Sequence, residues 1–300
     1  MSSRRPAPAQ RSRASTEVVP LRPPEPHSQR EDPGAATEDP RRSDVDEWGR
    51  SERVRELARR IYGPMYSAWF RAEWEGLSKI PRSGGALLIG NHAGAIPSDA
   101  PVIMHGIETE LGRPVYGLAD YFFRTIPVVG TLWSRGGGVP ARPDNAYRLL
   151  HDQGQLALVF PEGIKGTSKP YSDRYQLRRF GRGGFVEIAM RAGVPVVPIA
   201  ILGSEETMPV LWQMPQLARA LGLPYFPITA NMLVMGPIGT VVPFPAKLRL
   251  RVLDPVTFDV EPDKERYPKS RVMEESERIR QMLQAALSDM LSRRRSIWFG

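Results

Sequence analysis

Residues 86–99 read ALLIGNHAGAIPSD, and residues 155–163 read QLALVFPEG. Each begins as a short apolar run and stops abruptly in turn-forming and polar residues, the pattern of a buried strand that ends at a loop. The first is entered through Ser83-Gly84-Gly85 and leads to a helix starting near Ser98, whose side chain can cap it. A third apolar run, Val194 to Leu202, follows a helix expected over Val186 to Arg191; another helix is expected from a cap at Asp144 to a stop at Gly154. Lys247 to Val252 alternates basic and apolar residues, as a strand with one exposed face does. Strands alternating with helices predict an α/β fold: a mixed, largely parallel sheet flanked by helices, with ligands at the strand C-terminal ends.

This core is expected over residues 76–260. Ahead of it, Val54, Leu57, Ile61, Met65 and Trp69 fall at helical spacing within a span, 45–75, that reads as an amphipathic helix broken or kinked at Gly63-Pro64. Tyr62, Tyr66, Trp69, Phe70 and Trp74 lie there among arginines, a mixture that suits a lipid headgroup interface and equally a helix packed on its own domain. Residues 1–43 are rich in Pro, Arg, Ser, Glu and Ala without periodicity and are expected to be a disordered tail, which leaves 44–300 as the folded domain. At the other end, Ile279, Met282, Leu283, Ala286, Leu287, Met290 and Leu291 form one stripe of a helix expected over 271–295.

The formal net charge is +8, and the excess lies in residues 51–300, with 32 Lys and Arg against 24 Asp and Glu. A basic folded domain suits an anionic partner such as phospholipid headgroups, a phosphorylated co-substrate or nucleic acid. Cysteine is absent, which excludes disulfides, thiolate catalysis and thiolate metal centres from these residues. No apolar run reaches the 18 or so residues of a membrane-spanning helix, and Arg4 and Arg5 are followed by no apolar stretch that would make an export signal. A protein of this composition that meets a membrane is expected to lie on it, on the cytoplasmic face.

The chemistry-bearing residues sit at the strand ends. His92 directly follows a strand, in a glycine-containing turn, and Asp99 opens the next helix. A carboxylate on one imidazole nitrogen fixes the tautomer and leaves the other nitrogen free to take a proton. Asp99 would also suit a helix N-terminus by its charge alone. Phe160-Pro161-Glu162-Gly163 leaves its strand on the same sheet edge, with proline stiffening the exit, glycine allowing close backbone approach and glutamate facing the opening. Val194-Pro195-Val-Val-Pro198 places prolines in a strand-like run, which requires an edge strand, a bulge or a shaped wall.

Together, in this order, these segments resemble the glycerophospholipid acyltransferase family, whose motifs are Asn-His followed by Asp, then Phe-Pro-Glu-Gly, then a Val-Pro-x-x-Pro strand. The surrounding sequence is more similar to the branch that includes monoacylglycerol and diacylglycerol acyltransferases, through Gly137-Gly-Val-Pro-Ala141, Asp144-Asn-Ala146 and Phe180-Gly-Arg-Gly-Gly-Phe185. The resemblance implies a membrane-surface enzyme that moves a fatty acyl group from acyl-CoA, or an acyl carrier protein thioester, to the hydroxyl of a glycerolipid-type acceptor. It implies no metal and no bound cofactor, the acyl thioester being a co-substrate. It implies His92 as general base, Asp99 as its orienting partner, and Phe160, Pro161, Glu162, Gly163, Lys165 and Arg142 as substrate-binding residues. Lys169, Arg174, Arg178, Arg179 and Arg182 extend a basic loop suited to donor phosphates or headgroups, or simply to a solvated surface.

The chain departs from the family pattern twice. The family's aspartate stands five residues after histidine, where this chain has Pro97, and the carboxylate comes seven residues after, at Asp99. The arginine that helps phosphate-acceptor members hold glycerol phosphate is matched only loosely by Arg142. A lysophospholipid acyltransferase is therefore an alternative, and a lipid-binding protein that kept the fold without activity is another. The sequence has no phosphate-binding Gly-x-x-x-x-Gly-Lys-Ser/Thr loop and no Gly-x-Ser-x-Gly elbow, and its four histidines show no paired metal-ligand spacing. No nucleic-acid motif accompanies the basic charge, so nucleic acid is not an expected partner.

Overall fold

Leu87 and Ile89 pack into one hydrophobic cluster, Ala86 and Leu88 into another, so the strand that carries them is covered on both faces. That is why residues 86–90 are apolar without a break. In the computed structural model, which describes residues 44–120, 129–264 and 266–300, this strand lies at the centre of a seven-stranded sheet. The strands are β1 (Glu73–Glu75), β2 (Ala86–Gly90), β3 (Val115–Ala119), β4 (Gly138–Pro140), β5 (Leu156–Val159), β6 (Val196–Leu202) and β9 (Arg249–Val252). Their order across the sheet is β1-β9-β6-β2-β5-β3-β4, and every neighbouring pair is parallel except β6 with β9. A separate antiparallel hairpin joins β7 (Val210–Gln213) to β8 (Pro227–Thr229). The residues read as a tail, 1–43, lie outside the described residues.

Helices cover both faces. On one side α2 (Asp99–Leu111) buries Val102, Ile103 and Ile107, and Tyr62, Met65 and Tyr66 pack beside it. On the other, α3 (Pro143–Tyr147), which continues as a wide turn over Arg148–Asp152, lies with α4 (Gly184–Ala192) and α5 (Lys269–Arg293). Of the stripe read for the last helix, Ile279, Leu283, Ala286, Leu287 and Met290 are buried. The architecture is three layers, helices–sheet–helices, with β2, β5 and β6 innermost.

Several local expectations are corrected. The span 45–75 is not one helix: α1 covers Glu52–Pro64, a wide turn covers Met65–Trp69, and residues 73–75 form the edge strand β1. Pro64 sits at the end of α1 without stopping the chain's helical course. The stripe along α1 also faces outward, with Leu57 and Ile61 exposed, and its buried residue is Arg55, paired with Glu108 of α2. Tyr62 and Tyr66 instead pack against the ring of His105, whose pKa burial pushes down, helped by nearby Arg55. Ser98 stands at the α2 N-cap but makes no capping bond; its hydroxyl reaches Thr207.

Pro198 lies in the interior strand β6, not at an edge. Its missing N–H is accommodated because the segment after β9 bulges opposite it. Between the Ile199–Val252 pair and the Val196–Val256 bridge, residues 253–255 face residues 197–198. Leu253 N donates to the Pro198 carbonyl across this bulge. No helix among the described residues is long and apolar enough to cross a membrane.

Candidate active site

The parallel strands β2 and β5 end side by side, so the loops leaving Gly90 and Val159 start on the same edge of the sheet. Asn91 anchors the first loop. Its side-chain amide donates to the Ile201 carbonyl at 2.9 Å and accepts from the Ile201 N–H at 2.8 Å, tying the residue before His92 to strand β6. This two-way clamp was not recognised from the sequence as a positioning device.

His92 Nδ1 lies 2.9 Å from Asp99 Oδ2. The Asp99 side chain is fully buried, while that of His92 keeps 16% of its surface exposed. The same Oδ2 accepts from Ala93 N at 3.1 Å, and Oδ1 accepts from Ala100 N at 2.7 Å. An ionised carboxylate only accepts, so Nδ1 carries the proton and Nε2 presents its lone pair. The two extra residues between histidine and aspartate do not separate them: the Ala93–Ser98 loop folds over Asp99 and the helix start brings the carboxylate back to the ring.

The second loop packs on the first. Phe160 stacks on the His92 imidazole with ring centroids 4.2 Å apart and planes 12° from parallel. Glu162 is buried, and both its oxygens are engaged: one accepts from His92 N at 3.2 Å, the other from Arg178 N at 2.7 Å. The side chain read as facing the substrate thus staples three loops together around the histidine. Gly163 has φ +56° and ψ −145°, a conformation essentially restricted to glycine. At Gly166 a Cβ would stand 2.5 Å from the His92 carbonyl oxygen and 2.9 Å from its Cβ. Gly166→Ala is therefore expected to cost about 1–3 kcal/mol through overpacking, and to reduce activity by displacing His92. Urea unfolding read beside an acyl-transfer assay checks it; a variant unchanged in both would contradict the close packing.

The remaining predicted residues are scattered. Pro161 borders the Phe160 turn and is partly exposed, and Lys165 is exposed with no ion pair among the described residues. Arg142 is exposed at the start of α3, after β4. It shares the C-terminal edge of the sheet with His92, but β4 is three strands from β2, or roughly 14 Å at the usual strand spacing. The basic loop divides. Lys169 is buried against Glu205 at 2.9 Å, and Arg178 pairs with Asp173 at 2.6 Å, so neither is a free cation. Arg179 and Arg182 remain exposed. Beside them Tyr175, Glu206 and Arg294 form a buried polar cluster that joins this loop to the end of α5. No group of three or more His, Asp or Glu side chains among the described residues could hold a metal ion.

The family model described as Acyltransferase matches residues 71–202, which contain both loops. An uncharacterized protein of Mycobacterium tuberculosis is 38% identical over 259 residues, covering 85% of this chain and 72% of its own length. The DGAT1/2-independent enzyme synthesizing storage lipids of Bos taurus is 26% identical over 228 residues, 74% of this chain and 60% of that protein. Among solved structures, the 1-acyl-sn-glycerophosphate acyltransferase PlsC of Thermotoga maritima shares the fold with a TM-score of 0.50 and 22% identity, over 82% of this chain and 80% of that one.

Proposed function

The chain belongs to the glycerolipid acyltransferase family, and on that premise we propose that it transfers a fatty acyl group from a thioester, acyl-CoA or acyl carrier protein, to a lipid hydroxyl at a membrane surface. The observation that carries this reading is the His92–Asp99 pair, 2.9 Å apart at the end of the central strand. His92 Nε2 takes the proton of the acceptor hydroxyl as its oxygen attacks the thioester carbonyl carbon. The carbon–sulfur bond then breaks, and the departing thiolate takes the proton back from the imidazolium. Asp99 holds the ring and stabilises its positive charge in between, a contribution of roughly 10²–10⁴ in rate for the acid–base group. Phe160 fixes the ring plane, and Glu162 fixes the loop on which the histidine sits.

For the acceptor, a neutral glycerolipid hydroxyl fits better than a phosphorylated one. Arg142 is far along the sheet edge, Lys169 is committed to Glu205 and Arg178 to Asp173, which leaves Lys165, Arg179 and Arg182 among the exposed cations of the loop, all on flexible side chains and none held in place by a buried partner. The test is acyl transfer by the purified protein from labelled acyl-CoA and from acyl carrier protein thioesters to vesicles carrying monoacylglycerol, diacylglycerol, lysophospholipids or long-chain alcohols. Transfer to the neutral acceptors is expected. Transfer confined to lysophosphatidate would overturn the choice of acceptor, and no transfer from either donor to any acceptor would overturn the enzymatic reading.

A further inference from the structure

Between Glu206 and Lys247 the chain carries a single charged residue, Arg219. This stretch leaves the sheet after β6, forms the β7–β8 hairpin and the short helices Pro215–Ala220 and Ala230–Met235, and returns to β9. A forty-residue excursion of such composition would ordinarily be interior. Instead Leu211, Trp212, Met214, Leu221, Leu233, Val234, Ile238 and Val241 are exposed, with Trp212 at 73%, Leu233 at 69% and Val234 at 73%. Clustered apolar exposure of this kind marks a surface that something covers.

Three observations identify what covers it. First, the excursion is built onto the His92 loop: Ala95 N donates to the Met208 carbonyl, and the Tyr225 hydroxyl donates to the Ala95 carbonyl at 2.8 Å. The two site loops themselves turn Ile96 and Ile164 outward. Second, the apolar surface is continued by residues from both ends of the domain. The Trp69 indole donates to the Pro243 carbonyl, and Trp298 packs edge-on against Phe244, with Phe299 exposed beside it. Third, the one charge within the stretch is basic, Arg219, and two further cations, Lys165 one residue after the exposed Ile164 and Arg295 three residues before Trp298, are likewise exposed without an ion pair among the described residues; the flanking Glu206 and Lys247 are neutralised by Arg294 and Glu73. Tryptophans and cations around an apolar centre match the chemistry of an anionic lipid surface.

We propose that residues 209–243, with Trp298 and Phe299, dock into a lipid bilayer and hold the His92 loop against it, so that the acceptor reaches the site laterally from the membrane. The inference rests on the lipid-acyltransferase reading and adds to it the surface through which the lipid arrives. The experiment is co-sedimentation with mixed vesicles of phosphatidylcholine and phosphatidylglycerol, comparing the full chain with the triple variant Trp212→Ser, Leu233→Ser, Val234→Ser. A partition coefficient lower by about 100-fold is expected, since each of the three side chains contributes on the order of fivefold when half-withdrawn from water. Because the chain has no cysteine, Leu233→Cys carrying an environment-sensitive dye gives a second reading independent of that variant's folding. Its emission is expected to shift to the blue on adding vesicles. The same dye at Glu274, roughly 29 Å along α5 from the end that meets Glu206, should not shift.

Unchanged partitioning of the triple variant, or a dye at 233 that stays in water, overturns the proposal. So does a chain that is dimeric until the three substitutions make it monomeric while vesicle binding stays the same, because the surface is then a self-association face. A chain that binds vesicles through this surface but transfers no acyl group refutes the enzymatic reading and leaves the docking surface standing. Transfer to a dispersed short-chain acceptor without vesicle binding does the reverse.

Discussion

Replacing Asp99 by asparagine is expected to lower kcat/KM for acyl transfer by about 10²–10⁴-fold, as much as replacing His92 by alanine. The size follows from what the carboxylate does. It accepts three hydrogen bonds, from His92 Nδ1, Ala93 N and Ala100 N, with its side chain fully buried. Asparagine has the same shape but only one accepting oxygen. If that oxygen replaces Oδ2, the amide NH₂ confronts the Ala100 N–H, two donors facing each other. If the NH₂ replaces Oδ2, it confronts the Ala93 N–H and forces His92 Nδ1 to accept. The proton then moves to Nε2, and the lone pair that would take the acceptor's proton is gone. The fold should survive, since α2 keeps its buried face of Val102, Ile103 and Ile107. Because the two residues act as one unit, His92→Ala combined with Asp99→Asn should be no slower than His92→Ala alone. Steady-state kinetics with one thioester donor measure all three variants. An Asp99→Asn enzyme within threefold of the parent would remove the dyad from the mechanism, and additive losses would mean the two residues act separately.

The legibility of this site in the sequence was uneven, for identifiable reasons. Strands β2, β5 and β6 could be read because helices cover both faces of the sheet, which demands unbroken apolar runs such as ALLIG and LALV. His92, Asp99 and Phe160–Gly163 could be found because a strand's end fixes where its next residues lie. The seven-residue spacing to Asp99 gave no distance, since a loop's path depends on packing; Gly94, with φ +80°, and the buried Ala95 let the loop fold inward. Periodicity revealed a stripe on α1 but not which way it turns. It faces outward because the buried Glu108 draws Arg55 inward, with Arg50 also within 3.5 Å. The excursion after β6 has no period at all, and its lack of charge becomes informative only once its side chains are seen to be exposed.

Lys169 shows how a charge in a loop can mislead. Among the neighbouring cations it reads as part of a loop for donor phosphates, headgroups or plain solvent; in the structure its side chain is 1% exposed and that of its partner Glu205 4%. Lys169 also donates to the Gln176 carbonyl, and Glu205 accepts from Tyr175 N at 3.0 Å, so the pair stitches the basic loop to the end of β6. Lys169→Ala is expected to destabilise the protein by about 3–5 kcal/mol, because it strands a buried carboxylate. Lys169→Met combined with Glu205→Leu should recover most of that loss, since a buried ion pair is worth little relative to well-packed apolar side chains. The sign of the pH dependence follows from Glu205. Burial already pushes its carboxyl above the ordinary value, and Lys169 opposes that shift. Without the lysine the folded-state pKa rises further above the unfolded one. The native state then binds its proton at higher pH than the unfolded chain does, so the deficit of Lys169→Ala is full above that raised pKa and shrinks on acidification through it. Urea unfolding of the parent, the single and the double variant at neutral and acidic pH reads every part of this. A Lys169→Ala protein as stable as the parent, but with a higher KM for acyl-CoA, would return Lys169 to the donor-phosphate role, one of those its sequence context left open.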